Sequence, residues 1–141
     1  MEILFKGKRK DNGEWVEGAY CGYDCPNPFG SAVEMPSIIK YGEPYSLFWF
    51  EVDPETVAPF TGFYDKNGKK VFKGDILKSA YPNEPGETSV VYEEVFWKNG
   101  WYQAEDGDRE RYDDLSQGYL SEYSEVVGNI WDNAELLGGK K

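Results

Sequence analysis

Short apolar pairs separated by turn-forming residues recur along this chain, too closely spaced for long amphipathic helices. In residues 61–78 the pairs Phe63-Tyr64, Val71-Phe72 and Ile76-Leu77 alternate with Asn67-Gly68 and Lys73-Gly74. Glycine has no Cβ and asparagine tolerates the left-handed region, so Asn-Gly supplies the positive φ that a tight hairpin needs. This stretch predicts strand, hairpin, strand, bend, strand around one small β core, and the rest of the chain is organised about it.

Residues 3–8 read as a first strand and Lys10-Asp11-Asn12-Gly13 as a turn. The return strand, 14–23, puts Trp15, Ala19, Cys21 and Tyr23 on one face by period-two alternation, with Glu17 interrupting it. Residues 24–36 contain Pro26, Pro28 and Pro36 and read as a surface loop, because proline lacks the ladder N–H and biases its predecessor towards extended geometry. Two strands follow, 37–41 and 45–52, split by Gly42-Glu43-Pro44. The run Leu47-Phe48-Trp49-Phe50 is apolar on both faces, as in a central strand covered on two sides; a partner surface is the alternative. Asp53-Pro54-Glu55-Thr56 has the form of a helix start, with Asp53 at the N-cap and Pro54 in the first helical position. Val57-Ala58-Pro59 limits that helix to a single turn.

Beyond the organising stretch, residues 80–88 (with Pro82, Pro85 and Gly86) read as a loop and 89–97 as a strand. Lys98-Asn99-Gly100 makes a third Asn-Gly hairpin into 101–104. Residues 105–114, EDGDRERYDD, hold six carboxylates and two arginines. They read as a mobile solvated loop. The ligand order of a calcium loop is absent, which leaves weak divalent-ion binding as the alternative. Residues 115–123 predict a short helix capped by Asp114, with Leu115, Tyr119 and Tyr123 on one face and Gly118 weakening it. A last strand, 125–131, precedes one closing turn capped by Asp132 or Asn133. Leu136 and Leu137 are expected to pin that turn to the core, and 138–141 to fray.

The pattern therefore predicts a mainly β (β-rich α+β) chain of short antiparallel strands and hairpins with one or two short helical turns. At 141 residues a single domain, 1–141, is the most economical organisation, with a minor subdivision near 53–60 as the alternative. Aromatics at 17%, with 16 glycines and 8 prolines, fit many short strands and tight turns. No apolar run approaches the roughly 20 residues that cross a bilayer. The start of the chain lacks the pattern of a signal peptide, so a soluble, cytoplasmic protein without a membrane partner is expected. Cys21 and Cys25 then read as reduced structural thiols, the alternative being a disulfide or a metal role. Cut at Lys78, the net charge of −11 is uneven: ten Lys+Arg against twelve Asp+Glu before it, five against fourteen after it. Those counts give −2 and −9. Carboxylates repel phosphate, so no direct nucleic-acid binding is expected; the acids read as a solvated face, or as an approach surface for a basic partner.

With no histidine in the chain, Ser-His-Asp and Cys-His catalysis and histidine-held metals are excluded. No phosphate-binding glycine loop is present, and Lys66-Asn67-Gly68-Lys69 is a hairpin tip. Carboxylates are numerous enough for a glycosidase, but nothing in their spacing makes two converge. No residue is assigned as catalytic, cofactor-binding or metal-ligating, and no cofactor is expected.

Three blocks bear a resemblance. The first is Phe5-Lys6-Gly7-Lys8-Arg9 with residues 12–18, NGEWVEG, and the second is 51–57, EVDPETV. The third comprises Thr61-Gly62, residues 65–69 (DKNGK), Gly74-Asp75-Ile76-Leu77, residues 126–131 (VVGNIW) and Glu135-Leu136-Leu137. In this order they are similar to the YopX family of phage and prophage proteins over nearly the whole chain. Phe63 stands where an aliphatic residue is usual, and Ala134 where proline often precedes Glu-Leu-Leu, which loosens the last turn. The resemblance implies a mostly β domain, partly barrel-like, with the Gly-Asp-Ile-Leu strand start resembling SH3-like barrels by fold analogy. It implies the cytoplasm of a bacterial host and transfers no activity and no catalytic residue.

Three classes of function follow. One is a non-catalytic module that binds a host or phage protein through an aromatic-rich β surface, motivated by five tryptophans and eleven tyrosines. The second is an acidic nucleic-acid mimic occupying a host DNA-binding protein. The third is a carboxylate- or metal-dependent enzyme. Edge strands in an open β architecture also suggest a homo-oligomer.

Overall fold

Each of the predicted glycine turns lies where a strand reverses. A computed structural model describes residues 4–21, 37–42, 46–83, 86–98, 100–106 and 112–138. Gly13, Gly68, Gly74 and Gly100 all have positive φ, between 74° and 86°. The chain divides into two compact units, Met1–Phe60 and Thr61–Lys141, so the division follows directly on the 53–60 segment.

In the N-terminal unit β1 (Phe5–Arg9) turns at Gly13 into β2 (Trp15–Cys21), pairing Phe5 with Gly18 and Lys8 with Trp15. β2 pairs with β3 (Ser37–Gly42) and β3 with β4 (Ser46–Tyr64). β4 returns to the free edge of β1, setting Phe5 against Pro59 and Arg9 against Val52. Four strands thus close into a ring, which is the barrel-like part of the fold. Ile38, Val52 and Ala58 are buried within this unit, and full burial of an Ile or Val side chain contributes roughly 1.5–3 kcal/mol. Gly18 makes the ring tight: a Cβ there would lie 2.2 Å from the Ile39 carbonyl oxygen.

That close approach inverts the expected face of β2. Glu17 and Ala19 are exposed, while Val16, Gly18 and Tyr20 are partly covered. The proposed loop at 24–36, with Cys25, lies outside the described residues. Nor is the 47–50 run covered on both faces: Phe48 is 48% exposed and stacks on Phe50 at 6.4 Å. Over this run β4 is paired with β3 alone, and β1 joins β4 only from Val52 onward.

Asp53-Pro54-Glu55-Thr56 forms no helix. It lies within β4, where residues 54–57 stand opposite Gly7 alone, between the Lys6–Ala58 and Lys8–Asp53 pairs. Asp53 Oδ1 accepts from the Glu55 N–H at 3.1 Å. Thr56 Oγ1 donates to the Asp53 carbonyl at 2.7 Å and accepts from the Lys8 N–H at 2.9 Å. The capping chemistry is present, but it folds a bulge because β1 supplies the partner for the extended backbone on either side.

In the C-terminal unit the end of β4 turns through 65–69 into β5 (Lys70–Phe72), and Gly74 leads into β6 (Asp75–Asn83). A second sheet follows in the order β10-β6-β7-β8-β9, built from β7 (Glu87–Lys98), β8 (Trp101–Asp106), β9 (Tyr112–Asp114) and β10 (Ser124–Asn129). Val71, Leu77, Val95, Ala104, Leu115 and Leu120 form its core, flanked by Phe63, Tyr102 and Val126. The helix α1 (Gln117–Tyr123) contributes Leu120 to that core.

Four expectations change here. The predicted loop at 80–88 is two strand ends and a tip, with Ala80 paired to Val90 and Asn83 to Glu87. Proline is accommodated at Pro82 because β10 stops at Ser79 and leaves that edge of β6 open. The acidic 105–114 segment is strand at both ends, in β8 and β9; residues 107–111 lie outside the described residues. Finally, Ser116 caps α1 in place of Asp114, its Oγ accepting from the Tyr119 N–H, and Leu115 is buried ahead of the helix. The last strand also stops early, at Asn129, before a 3₁₀ turn at Ala134–Leu137 whose Leu137 is buried.

Candidate functional site

The residues carrying the family resemblance are occupied by backbone. Asp65 Oδ1 accepts from the Asn67 and Lys69 N–H groups, both at 2.9 Å, and Oδ2 accepts from Val126, also at 2.9 Å. One carboxylate therefore shapes the hairpin and fastens β10 to it. Asp75 Oδ2 accepts from the Phe72 N–H at 2.8 Å. Thr61 Oγ1 donates to the Val71 carbonyl at 2.7 Å. Asn129 Oδ1 accepts from Trp131 and Asp132, and Asn133 Oδ1 from Asn129. Asp65, Asp75 and Thr61 are all buried, and such groups are stabilising only while their partners are in place. These side chains hold turns and strands together.

Beneath α1 lies a buried polar group. Ser79 and Ser124 share a hydrogen bond of 2.7 Å, and Ser79 Oγ lies 3.4 Å from Glu93 Oε1. A hollow of about 20 Å³ adjoins it, lined by Glu93, Asp114, Ser116, Tyr119 and Ser124 among others. A single water needs roughly 10–15 Å³ measured in this way, so the hollow has room for a water and none for an organic substrate.

The β7–β8 hairpin presents a different surface. Trp97 and Trp101, on either side of its tip, are 52% and 50% exposed. They are nonetheless held by rings: Trp97 meets Tyr102 edge-on at 4.6 Å, and Trp101 meets Phe63 edge-on at 6.4 Å. Trp97 and Tyr102 are also direct cross-strand partners. Partial burial raises the Tyr102 phenol above its ordinary pKa, because the neutral form is the one favoured away from water. Fixed aromatic rings with open faces lose little conformational freedom on contact, which is why Trp and Tyr dominate interface energetics. No candidate site residue was legible as such in the sequence. The available signal was positional: two tryptophans flank Lys98-Asn99-Gly100, where strands leave the core.

Among the described residues no three Asp, Glu, Cys or His side chains gather as metal ligands. No described helix is long and apolar enough to cross a membrane. Counted by structural unit, the charge asymmetry vanishes: five Lys+Arg against ten Asp+Glu up to Phe60, and ten against sixteen from Thr61. Those counts give −5 and −6. The lysines of residues 66–78 belong to the same unit as the acidic C-terminal half, and both units carry net negative charge.

No functionally curated protein matches the chain in a sequence comparison. Among solved structures, protein EF1440 from Enterococcus faecalis is similar, with a TM-score of 0.57 at 22% identity, covering 97% of this chain and 99% of the other. At that identity the likeness speaks for the fold alone. The family model described as YopX protein matches residues 4–138. That match spans nearly the whole chain, and the chain belongs to the YopX family.

Proposed function

We propose that this chain is a phage- or prophage-encoded, non-catalytic interaction module that acts in the cytoplasm of a bacterial host. It binds a host or phage protein around the tip of the β7–β8 hairpin, where Trp97 and Trp101 lie on opposite faces of the ribbon. The observation that carries this reading is the pair Trp97 and Trp101, each about half exposed yet held in place by a neighbouring ring. A surface of that kind costs little ordering on contact and buries much apolar area. Asp65, Asp75, Thr61 and Asn129 are bonded to backbone, which supports a structural use of these polar residues over chemistry.

The test is affinity capture from infected or induced cells, with the native chain beside a Trp97→Ser, Trp101→Ser double variant that keeps its circular dichroism spectrum. A partner recovered by the native chain and lost by the variant is the expected result. Equal recovery by both, or nothing above background with the native chain, overturns the proposal.

A further inference from the structure

Cations are placed differently in the two units. In the N-terminal unit Lys6 Nζ lies 4.9 Å over the Trp15 ring, Arg9 is bonded to Asp11, and Lys10 Nζ is 3.3 Å from Glu51. In the C-terminal unit Lys66, Lys69, Lys70 and Lys73 fall within eight residues, and none of them has an ion pair among the described residues. Lys66, Lys69 and Lys73 are exposed and Lys70 is half-buried. The acids of the same segment are Asp65 and Asp75, both buried and bonded to backbone N–H groups. The backbone beneath the lysines is fixed. Asp65 shapes the turn, the Lys66 N–H donates to the Ser124 carbonyl at 2.9 Å, and the Tyr64 N–H and carbonyl are both bonded to the Gln117 side chain of α1, at 2.9 and 2.8 Å. A Cβ on Gly68 would meet nothing within 4 Å, so the tip stands clear. Residues 65–75 hold four lysines against two aspartates, a net of +2 in a chain of −11. The remaining residues hold eleven Lys+Arg against twenty-four Asp+Glu, a net of −13.

We infer that the turn carrying Lys66, Lys69, Lys70 and Lys73 is a docking site for a short, carboxylate-rich segment of a partner protein. Like charges on a fixed turn repel one another, and an anionic partner relieves that repulsion with little backbone ordering. Lysine ammoniums are point charges with rotatable donors, suited to several carboxylates on a flexible segment. The acidic remainder of the chain limits the size of the partner. A DNA duplex carries one charge per about 1.7 Å of axis. Its phosphates beyond a Debye length of about 8 Å gain nothing from the lysines and meet the repulsion of the remainder. A short acidic segment meets the turn alone. The lysines share no residue with the Trp97–Trp101 surface, so either reading can fail without the other.

The test is titration of the isotope-labelled full chain with an oligo-glutamate peptide, followed by amide shifts in nuclear magnetic resonance, beside a DNA duplex of equal charge. The expected result is saturable shifts centred on residues 64–73, weakened by added salt. A Lys66→Gln, Lys69→Gln double variant is expected to bind the peptide about fivefold or more weakly with an unchanged circular dichroism spectrum. Lys66→Arg with Lys69→Arg keeps the charge and is expected to bind as the native chain does. No shift at residues 64–73 overturns the inference, as does equal binding by the glutamine variant. An arginine variant no better than the glutamine one also overturns it, and so does tighter binding of the duplex than of the peptide.

Discussion

The two units handle the same problem, unpaired strand edges, in opposite ways. In the N-terminal unit β1 is bonded to β2 on one side and β4 on the other, and β3 links β2 to β4, so the ladder has no beginning or end. In the C-terminal unit five strands lie in an open row, with β10 and β9 at the margins. Closure makes the first unit depend on how near its backbones can come. Openness leaves the second with surfaces to spare, and its exposed tryptophans lie there. Small size is a steric requirement in both, at Gly18 in the closed ladder and at Gly74 and Gly128 in the open one, where turn residues and polar staples take the place of ring closure.

The sharpest way to break that contrast is Gly18→Ala. The added carbon meets a carbonyl oxygen at 2.2 Å and Ile38 Cγ2 at 2.9 Å, neither of which yields without parting β2 from β3. A loss of about 3 kcal/mol or more is expected in chemical denaturation, with hydrogen exchange accelerating first in β1 to β4. Asp65→Ala addresses the open unit. It strips the partner from three backbone N–H groups and should cost roughly 2–3 kcal/mol. Asp65→Asn should recover part of that, since its oxygen still accepts. Gly68→Ala is the control for crowding: nothing lies within 4 Å of its Cβ, and φ is +78°. Only the left-handed strain remains, about 1 kcal/mol, well below the Gly18 value. Trp97→Ser removes one edge-on ring contact, worth about 1 kcal/mol at most, so a large loss of partner binding with a small loss of stability is the expected pairing.

The smallest effect concerns alkali. Burial favours the neutral Tyr102 phenol, so the folded chain keeps this proton to higher pH than the unfolded chain. The contribution is fully present below the unfolded tyrosine pKa of about 10 and is lost as pH rises through the raised folded value. In alkaline denaturation series Tyr102→Phe is expected to flatten that part of the decline.

The turns were legible because they are settled locally. Asn12-Gly13 and Asn67-Gly68 need positive φ whatever surrounds them, and both have it. The 53–56 segment was misleading for the same reason. Asp53 does bond to the N–H two residues on, but the choice between a helical turn and a bulge is made by β1, about 45 residues earlier in the chain. Pro82 signalled a loop and sits at an edge instead, a distinction that depends on where β10 ends. The β2 face was inverted because alternation of apolar residues cannot register Gly18, whose importance lies in the side chain it lacks. For the candidate surface, the supply of aromatics was evident from composition. Which rings stay open was not, because exposure depends on where β8 and α1 stop covering the sheet.

The pairing of Phe5 with Pro59 has a consequence for synthesis. A contact of that sequence separation must wait until the ribosome has delivered the later segment, and ladders of long range form slowly once it has. The β1–β2 hairpin is therefore made early and held unfinished, one side unsatisfied, until residues 52–59 arrive. A circular permutant opened at the β1–β2 turn, which translates β2 first and β1 last, would instead let β2, β3 and β4 pair in chain order before β1 sealed the ring.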